Sequence, residues 1–551
     1  MASSEPRHRA GRIQSRCPNH GVEGVPVEEI RLAELLAALS LLTDLGMGRE
    51  QEVAIQSCLV ATELARRMGL PDDAISETYY TALLQHIGCT AYAHETALLF
   101  GDDVALNAAG EKTNFDRPSE IFSVMIPAIA GEGGLLARAR VGVVMLTRGP
   151  KFGRAASAAN CETAAMMARR LGLGNDVEQS LYQVFEYWNG KGGPRKLKGE
   201  SIARCARIAN VGVTAALFDR LGGPELALDA VRRRSGRSLD PDAAETFLRD
   251  GDHFLRELAE IDRGQMVLET EPKPHRLIPD EELDGVAAAF GDLADLKSPF
   301  LHGHSAGVAV LTEAAGKELG LPATELTMLR RAALLHDIGR VAISSSIWSK
   351  AGPLTTDEAE QVRLHPYHTE RVLLRSAALS PLAQIAGAHH ERLDGSGYHR
   401  GTKGAALSTH AKVLAAGDTY FAMTHDRPHR AALSAKRAAE EIGSMVSRRQ
   451  LDAHAVNAVL KAAGHSPRAR SMNPGGLSDR EVEVIGLMAQ GLSTRVLARR
   501  LSITPKTADH HVQHIYTKIG ISTRAAAAMF AMQHGLVGPE DQGDLHVRAR
   551  E

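Results

Sequence analysis

Aromatic residues make up only 4% of this 551-residue chain, and long apolar runs are missing. No segment offers eighteen uninterrupted apolar residues, which argues against a membrane partner or span. The basic start, MASSEPRHRAGRIQSR, has no apolar stretch behind it and does not read as a secretory signal. Cysteine is scarce as well: Cys17, Cys58, Cys89, Cys161 and Cys205 lie in the first half without paired spacing. That argues against a disulfide framework and predicts a reduced, cytoplasmic protein with buried thiols. Cys17 and His20 have no second pair of ligands, so a disordered tail over 1–26 is expected there rather than a metal site. With a net charge of −2, the whole chain gives no reason to invoke nucleic acid, and any such partner must be read locally.

Ala, Leu and Arg recur in long stretches with few β-branched blocks, which predicts helices packed on helices. The length suggests several domains. Two of these are related. MGLPDDAISETYYTALLQHIG, from Met68, aligns without a gap to LGLPATELTMLRRAALLHDIG, from Leu319. Further along, Glu186 matches Glu391, Asn189 matches Asp394 and Gly212 matches Gly417, all at an offset of 205. One helical domain therefore occurs twice, over 27–265 and 282–447, with a linker over 266–281.

The second copy spreads imidazoles and carboxylates along its length: His304, the pair His336 and Asp337, His365, the pair His389 and His390, and Asp418. Each alone is an ordinary helix residue. As a set they suit Mn, Fe or Zn and exceed what one tetrahedral ion needs, so two divalent metal ions sharing a bridging Asp are expected. The first copy puts Val53, Gln85, His86, Asn160, Val184, Phe185 and Val213 at the same places. All seven ligands differ while the glycines and the apolar frame remain. Loss as a set fits a shared metal site, since a partial site keeps buried charge without its ion.

LLHDIGR, LHPYHTERVL, HHERLDGSGY and AAGDTYFAMTHDRPHR together resemble the HD-GYP branch of the HD-domain phosphohydrolases. The resemblance implies an all-α bundle with a multinuclear metal centre and hydrolysis of cyclic di-GMP, making a nucleotide-type small molecule the partner. It implies that Asp337 bridges the ions and Asp418 completes the shell, with His336, Asp337 and Arg340 at the catalytic centre. Arg340, Arg427 and Arg430 become candidates for holding phosphates, and Gly395, Gly397 and Tyr398 form the loop after the histidines. Three positions depart from the family pattern. Arg340 replaces its usual Lys, His399 replaces the Pro of Gly-Tyr-Pro, and Phe300 stands where trinuclear members carry Glu. The last points to two metals, and His399 leaves the substrate open. The first copy resembles a degenerate HD domain: a ligand sensor, a pseudo-dimer partner for the second copy, or both. Its excess of roughly 45 residues around Ala91–Ala155 is expected to shape a pocket. His86 and His94 are expected to be ordinary helix or loop residues.

After a Gly-, Pro- and Arg-rich linker, taken as 448–476, the balance turns basic, with seven Arg or Lys against four Asp or Glu from Leu477 to Val537. Ser478-Asp-Arg-Glu481 reads as a capping box, Ser493 as a second cap, and Thr504-Pro505 as the start of KTADHHVQHIYTKIG. Two short helices, a turn and a longer polar-faced helix make a helix-turn-helix. LSDREVEV, GLSTRVLARRL and STRAAA give this segment, 477–538, a resemblance to the LuxR-type reader of bacterial transcription regulators, with a tail over 539–551. That implies four helices, the last of them a dimer surface, hence a homodimer on double-stranded DNA. Asp509, His510 and Gln513 would face base edges, while Lys506, Thr507 and Lys518 would hold phosphates. Three functions fit: a phosphodiesterase joined to a DNA reader, a transcription factor whose HD domains sense nucleotide without turnover, or a hydrolase of another phosphorylated molecule.

Overall fold

The computed structural model describes residues 30–115, 117–130, 134–464 and 473–537. The tails expected over 1–26 and 539–551, and residues 465–472 of the second linker, lie outside the described residues. The fold is all-α. Among the described residues the only sheet is a two-residue pair, Ile30–Arg31 antiparallel to Leu277–Ile278. No single described helix is long and apolar enough to cross a membrane. Cys58, Cys89, Cys161 and Cys205 are free and buried.

The two bundles use the same local devices. Each opens with a helix, Leu32–Gly46 or Asp280–Asp295. Near its end a buried carboxylate, Asp44 or Asp295, accepts a backbone N–H at the start of the next helix, Ala54 N at 3.1 Å and Ser305 N at 2.9 Å. Those helices, Val53–Arg67 and His304–Glu318, have no side-chain cap of their own, so the carboxylate takes one of their orphan amides. Burial pushes Asp295 up to about 8. After the Gly-Leu-Pro turns come helices Asp72–Leu84 and Ala323–Leu335, each running into a short 3-10 turn, Ile87–Thr90 or Ile338–Ala342. Glycine is obligatory in both turns. A Cβ on Gly88 would lie 2.0 Å from the Asn160 carbonyl oxygen, and one on Gly339 would lie 2.1 Å from that of His365.

The bundles meet through their first helices, each of which also packs within its own bundle. Helix Leu32–Gly46 lies on the Ile338–Ala342 turn and helix His365–Leu373, while helix Asp280–Asp295 lies on the Ile87–Thr90 turn and helix Gly134–Arg170. One continuous apolar core results. At the seam, Lys297 and Asp103 form a buried ion pair at 2.5 Å. Ser344 Oγ and Ser345 N donate to the other Asp103 oxygen at 3.0 and 2.6 Å, so the pair is hydrogen-bonded as well as neutralised. Asp103 belongs to the first copy's excess segment, which folds as helices Ala93–Phe100 and Asp103–Lys112 and the long Gly134–Arg170.

Both expected linkers are partly built into the bundles. Helix Arg263–Thr270 packs on Val53–Arg67, and Leu277–Ile278 returns the chain to its first strand. Helix Ala453–Ala462, capped by Asp452, buries Ala455, Val456 and Val459 against helices His304–Glu318 and Thr409–Met423. These stripes are narrow and made of small residues, so composition alone hides them.

The reader has the four expected helices, Asp479–Ala489, Thr494–Arg500, Pro505–Ile519 and Arg524–Gln533. Ser478, Ser493 and Thr504 cap as the sequence predicts, and Ser478 with Glu481 closes the capping box. The last helix, expected as a dimer surface, packs on the reader's own Asp479–Ala489 and also touches Asp280–Asp295 and Gly134–Arg170. Ala527, Ala528, Met529 and Met532 are buried among these neighbours.

Removing one side of the seam pair tests its weight. Asp103→Asn strands the Lys297 charge and is expected to cost about 3–5 kcal/mol, read from the shift of a urea unfolding midpoint. The double change Asp103→Leu with Lys297→Met should recover most of that loss.

Candidate functional site

All seven proposed ligands of the second bundle converge, and they do so in two groups. His304, His336, Asp337 and Asp418 form one buried set; His365, His389 and His390 form the other, with the ligand atoms of each set within 4.8 Å of one another. His304 opens one helix, His336 ends another, and Asp337 stands at the head of the 3-10 turn. His365 begins helix His365–Leu373 and Asp418 lies inside Thr409–Met423.

Asp337 joins the groups with its two oxygens. Oδ2 lies 3.2 Å from His304 Nε2 and 2.7 Å from His336 Nε2, while Oδ1 lies 3.2 Å from His365 Nε2 and 3.3 Å from His389 Nε2. Asp418 Oδ1 approaches His304 Nε2 at 3.1 Å. Three histidines are oriented alike: Nδ1 of His336, His365 and His389 each meets the carbonyl three residues earlier, at 2.7, 2.6 and 2.6 Å. A carbonyl only accepts, so Nδ1 carries a proton, and in a neutral His365 or His389 ring Nε2 is left with a lone pair. Nε2 of His365 and His389 therefore face each other at 3.1 Å as two lone pairs. Burial lowers His365 to about 4. Two lone pairs at that distance are the arrangement that a shared cation would hold. His304 Nε2, His336 Nε2 and both Asp337 oxygens are buried without a hydrogen-bond partner, which fits the same requirement.

The charges in the site are strongly biased. Burial works against ionised Asp337, but Arg340 and His336 outweigh it and hold the carboxyl well below its usual range. Burial likewise opposes a charge on His336, and the Asp337 and Asp418 carboxylates still raise it to about 10. Arg340 Nη2 forms an ion pair with Asp337 Oδ2 at 2.5 Å, its guanidinium lies 5.2 Å over the Trp348 ring, and its Nε and Nη1 have no hydrogen-bond partner. Two donors thus stay available beside the ligands. Arg427 also belongs to the site, with Nη2 3.5 Å from His304 Nδ1; burial and Arg340 pull it down to about 10.

Arg430 is a correction. Its guanidinium donates to the carbonyls of Ala422, Met423 and Ala431 at 2.7, 2.9 and 3.2 Å, which caps the end of helix Thr409–Met423 and takes it from the phosphate set. The loop glycines also act on the backbone. A Cβ on Gly397 would lie 2.4 Å from Arg392 N, and Gly395 sits at φ 80°. Together they fold the loop back so that the Tyr398 ring covers His390 at 4.7 Å. Glu391 fastens that fold, accepting Arg400 N and Thr402 N at 2.8 Å each; Glu186 does the same in the first bundle for Arg195 N and Leu197 N. The match of Glu186 to Glu391 was the signal for this role. His399 pairs with Glu370 at 3.2 Å.

In the reader, Lys506, Thr507, Asp509, His510 and Gln513 are exposed on helix Pro505–Ile519, while Ala508, Val512 and Ile515 are buried behind them. Lys518 departs from expectation. Its Nζ donates to Glu481 Oε2 at 2.6 Å and to the Gly476 carbonyl at 3.3 Å, so it braces the capping box.

Residues 289–454 match the HD domain family, and residues 476–531 match the family of bacterial regulatory proteins of the luxR family. A 3'3'-cGAMP-specific phosphodiesterase 3 of Vibrio cholerae is 31% identical over 405 residues, 73% of this chain and 88% of the relative. A stretch of that length runs through both bundles. A cyclic di-GMP phosphodiesterase of Pseudomonas aeruginosa is 35% identical over 165 residues, 30% of this chain and 39% of its own. The crystal structure of a Vibrio cholerae cyclic GMP-AMP-specific phosphodiesterase superposes with a TM-score of 0.55 and 27% identity, covering 80% of this chain and 99% of that one. The chain belongs to the HD-domain phosphodiesterases. Within them, it carries an HD-type phosphodiesterase domain and a LuxR-type DNA-binding domain on one polypeptide.

Elemental analysis tests the shared carboxylate. Asp337→Ala is expected to bring bound divalent metal close to zero, and His304→Ala to leave the ion beside His365 and His389 in place. In the reader, burial favours protonated Glu481, but the Lys518 and Ser478 hydrogen bonds outweigh it and lower the carboxyl to about 2 from its ordinary 4.5. Its stabilisation is complete above that ordinary value and is lost as pH falls through the lowered one. Lys518→Met should move the Glu481 titration, followed by NMR, back up.

Proposed function

We propose that this protein hydrolyses a 3'3'-linked cyclic dinucleotide at a two-ion centre and couples that nucleotide to DNA binding. The observation that carries the reading is the split of the Asp337 oxygens between the two histidine groups. His304, His336 and Asp418 with one Asp337 oxygen would hold one ion; His365, His389 and His390 with the other oxygen would hold the second. The donor set of imidazole and carboxylate suits Mn, Fe or Zn. When bound, such a pair of cations activates water and neutralises the charge that develops in an in-line displacement at phosphorus.

The chain's own residues do the rest. Arg340 keeps Asp337 ionised and turns its two free donors toward a phosphate, while Arg427 adds a second cation on the His304 side. Tyr398 and the folded glycine loop cover His390 and keep water from its open face. Ring opening then yields a linear dinucleotide with a terminal phosphate. The relatives named for 3'3'-cGAMP and for cyclic di-GMP support this substrate class.

In the same proposal the reader binds double-stranded DNA as a homodimer in the cytoplasm. Lys506 and Thr507 contact phosphates; Asp509, His510 and Gln513 contact bases. Dimerisation through helix Arg524–Gln533 requires that helix to leave its place on the bundles.

Purified chain loaded with Mn or Fe should linearise 3'3'-cGAMP or cyclic di-GMP, and Asp337→Ala should lose that activity by at least about a thousandfold. Stoichiometric nucleotide binding without turnover would instead leave a sensor. In gel retention, Lys506→Ala should weaken binding to every DNA sequence and reduce the salt slope by about 1. Gln513→Ala should change the sequence preference.

A further inference from the structure

The first bundle holds a cavity of about 590 Å³ where the second holds its ligands. Gln85, His86, Asn160, Val184, Phe185 and Val213 line it, each the counterpart of one of the seven ligand positions. Its size lies within the range of small-molecule sites, and its floor is polar in a particular way. Gln85 Oε1, His86 Nε2 and Glu111 Oε2 have no hydrogen-bond partner, although each of these side chains is more than nine-tenths buried.

The orientation of Gln85 follows from its neighbours. The Glu186 carbonyl only accepts, so Asn210 meets it with Nδ2, at 3.4 Å. Asn210 Oδ1 is then the acceptor for Gln85 Nε2 at 2.7 Å, which leaves Gln85 Oε1 as a bare acceptor. Glu111 gives one oxygen to Arg49 at 2.7 Å, and its second oxygen is the unpartnered one. These two acceptors, with Asn160 Oδ1 also unpartnered in the same lining, call for donors on whatever fills the space, since leaving them bare costs more than the bonds return. Above them the walls are aromatic, from Phe100, Phe115, Phe152 and Phe185, and the rim carries exposed Arg154 and Lys196.

We infer that this cavity is a second ligand site, built for a planar nitrogen heterocycle with an N–H donor edge and an anionic tail, the pattern of a guanine nucleotide. The guanine edge offers N1–H and the exocyclic amine side by side to Gln85 and Glu111. Adenine presents an acceptor at N1 where guanine presents a donor. The rings stack the base, and the rim cations face the phosphate. None of this depends on turnover in the second bundle.

The test uses the full chain carrying Asp337→Ala, so that binding at the metal centre does not interfere. Calorimetry with GMP should show one saturable site, at least about tenfold weaker for AMP and at least about tenfold weaker for GMP after Gln85→Leu. In parallel, hydrogen exchange of the otherwise unsubstituted chain should slow on adding GMP across residues 145–160, the helical wall of the cavity. The inference is overturned by an absence of saturable GMP binding, by equal affinity for AMP, or by protection confined to residues 336–418.

Discussion

One buried carboxylate organises the second bundle. Asp337 faces four imidazoles and a guanidinium, and both of its oxygens lack a hydrogen-bond partner. A fully buried anion of this kind is sustained only by the positive charge around it. The helix ends that deliver His304, His336 and His365, the carbonyls that fix three ring tautomers, and Arg340 stacked on Trp348 all serve that condition.

The first bundle shows what happens when the condition is removed. Its frame is conserved down to the contacts of single atoms: Gly88 and Gly339 meet the same carbonyl, Asp44 and Asp295 hold the same amide, and Glu186 and Glu391 fasten the same loop. At the places of the histidines and aspartates there are two amides, a neutral imidazole and apolar side chains. Burial, with Arg49 nearby, keeps His86 well below its ordinary value, so it makes no substitute cation. What remains is volume, enlarged by the helices of the excess segment.

Much of this was legible in the sequence because the duplication supplied a comparison within one chain. The seven candidate ligands, the all-helical class and the reader's caps followed from composition, spacing and turn chemistry, and its fourth helix from the LuxR-type resemblance. Arg430 and Lys518 did not, because a cation's partner is a matter of three-dimensional distance: one meets the carbonyls ending helix Thr409–Met423, the other the Glu481 carboxylate. The packed helix Ala453–Ala462 was hidden by its small residues, and the buried Lys297–Asp103 pair by a separation of 194 residues. Charge types are written in sequence; which charges face water is decided by packing.

Helix Gly134–Arg170 has two audiences. Its middle, through Asn160, walls the cavity of the first bundle, and two residues on, Glu162 accepts Ser522 N of the reader at 3.2 Å. A free-energy coupling carried by such a shared element is reciprocal. To the extent that a filled cavity alters how the reader sits, DNA held by the reader alters the cavity's affinity by the same factor, so a promoter becomes an effector of the small-molecule site as much as its target.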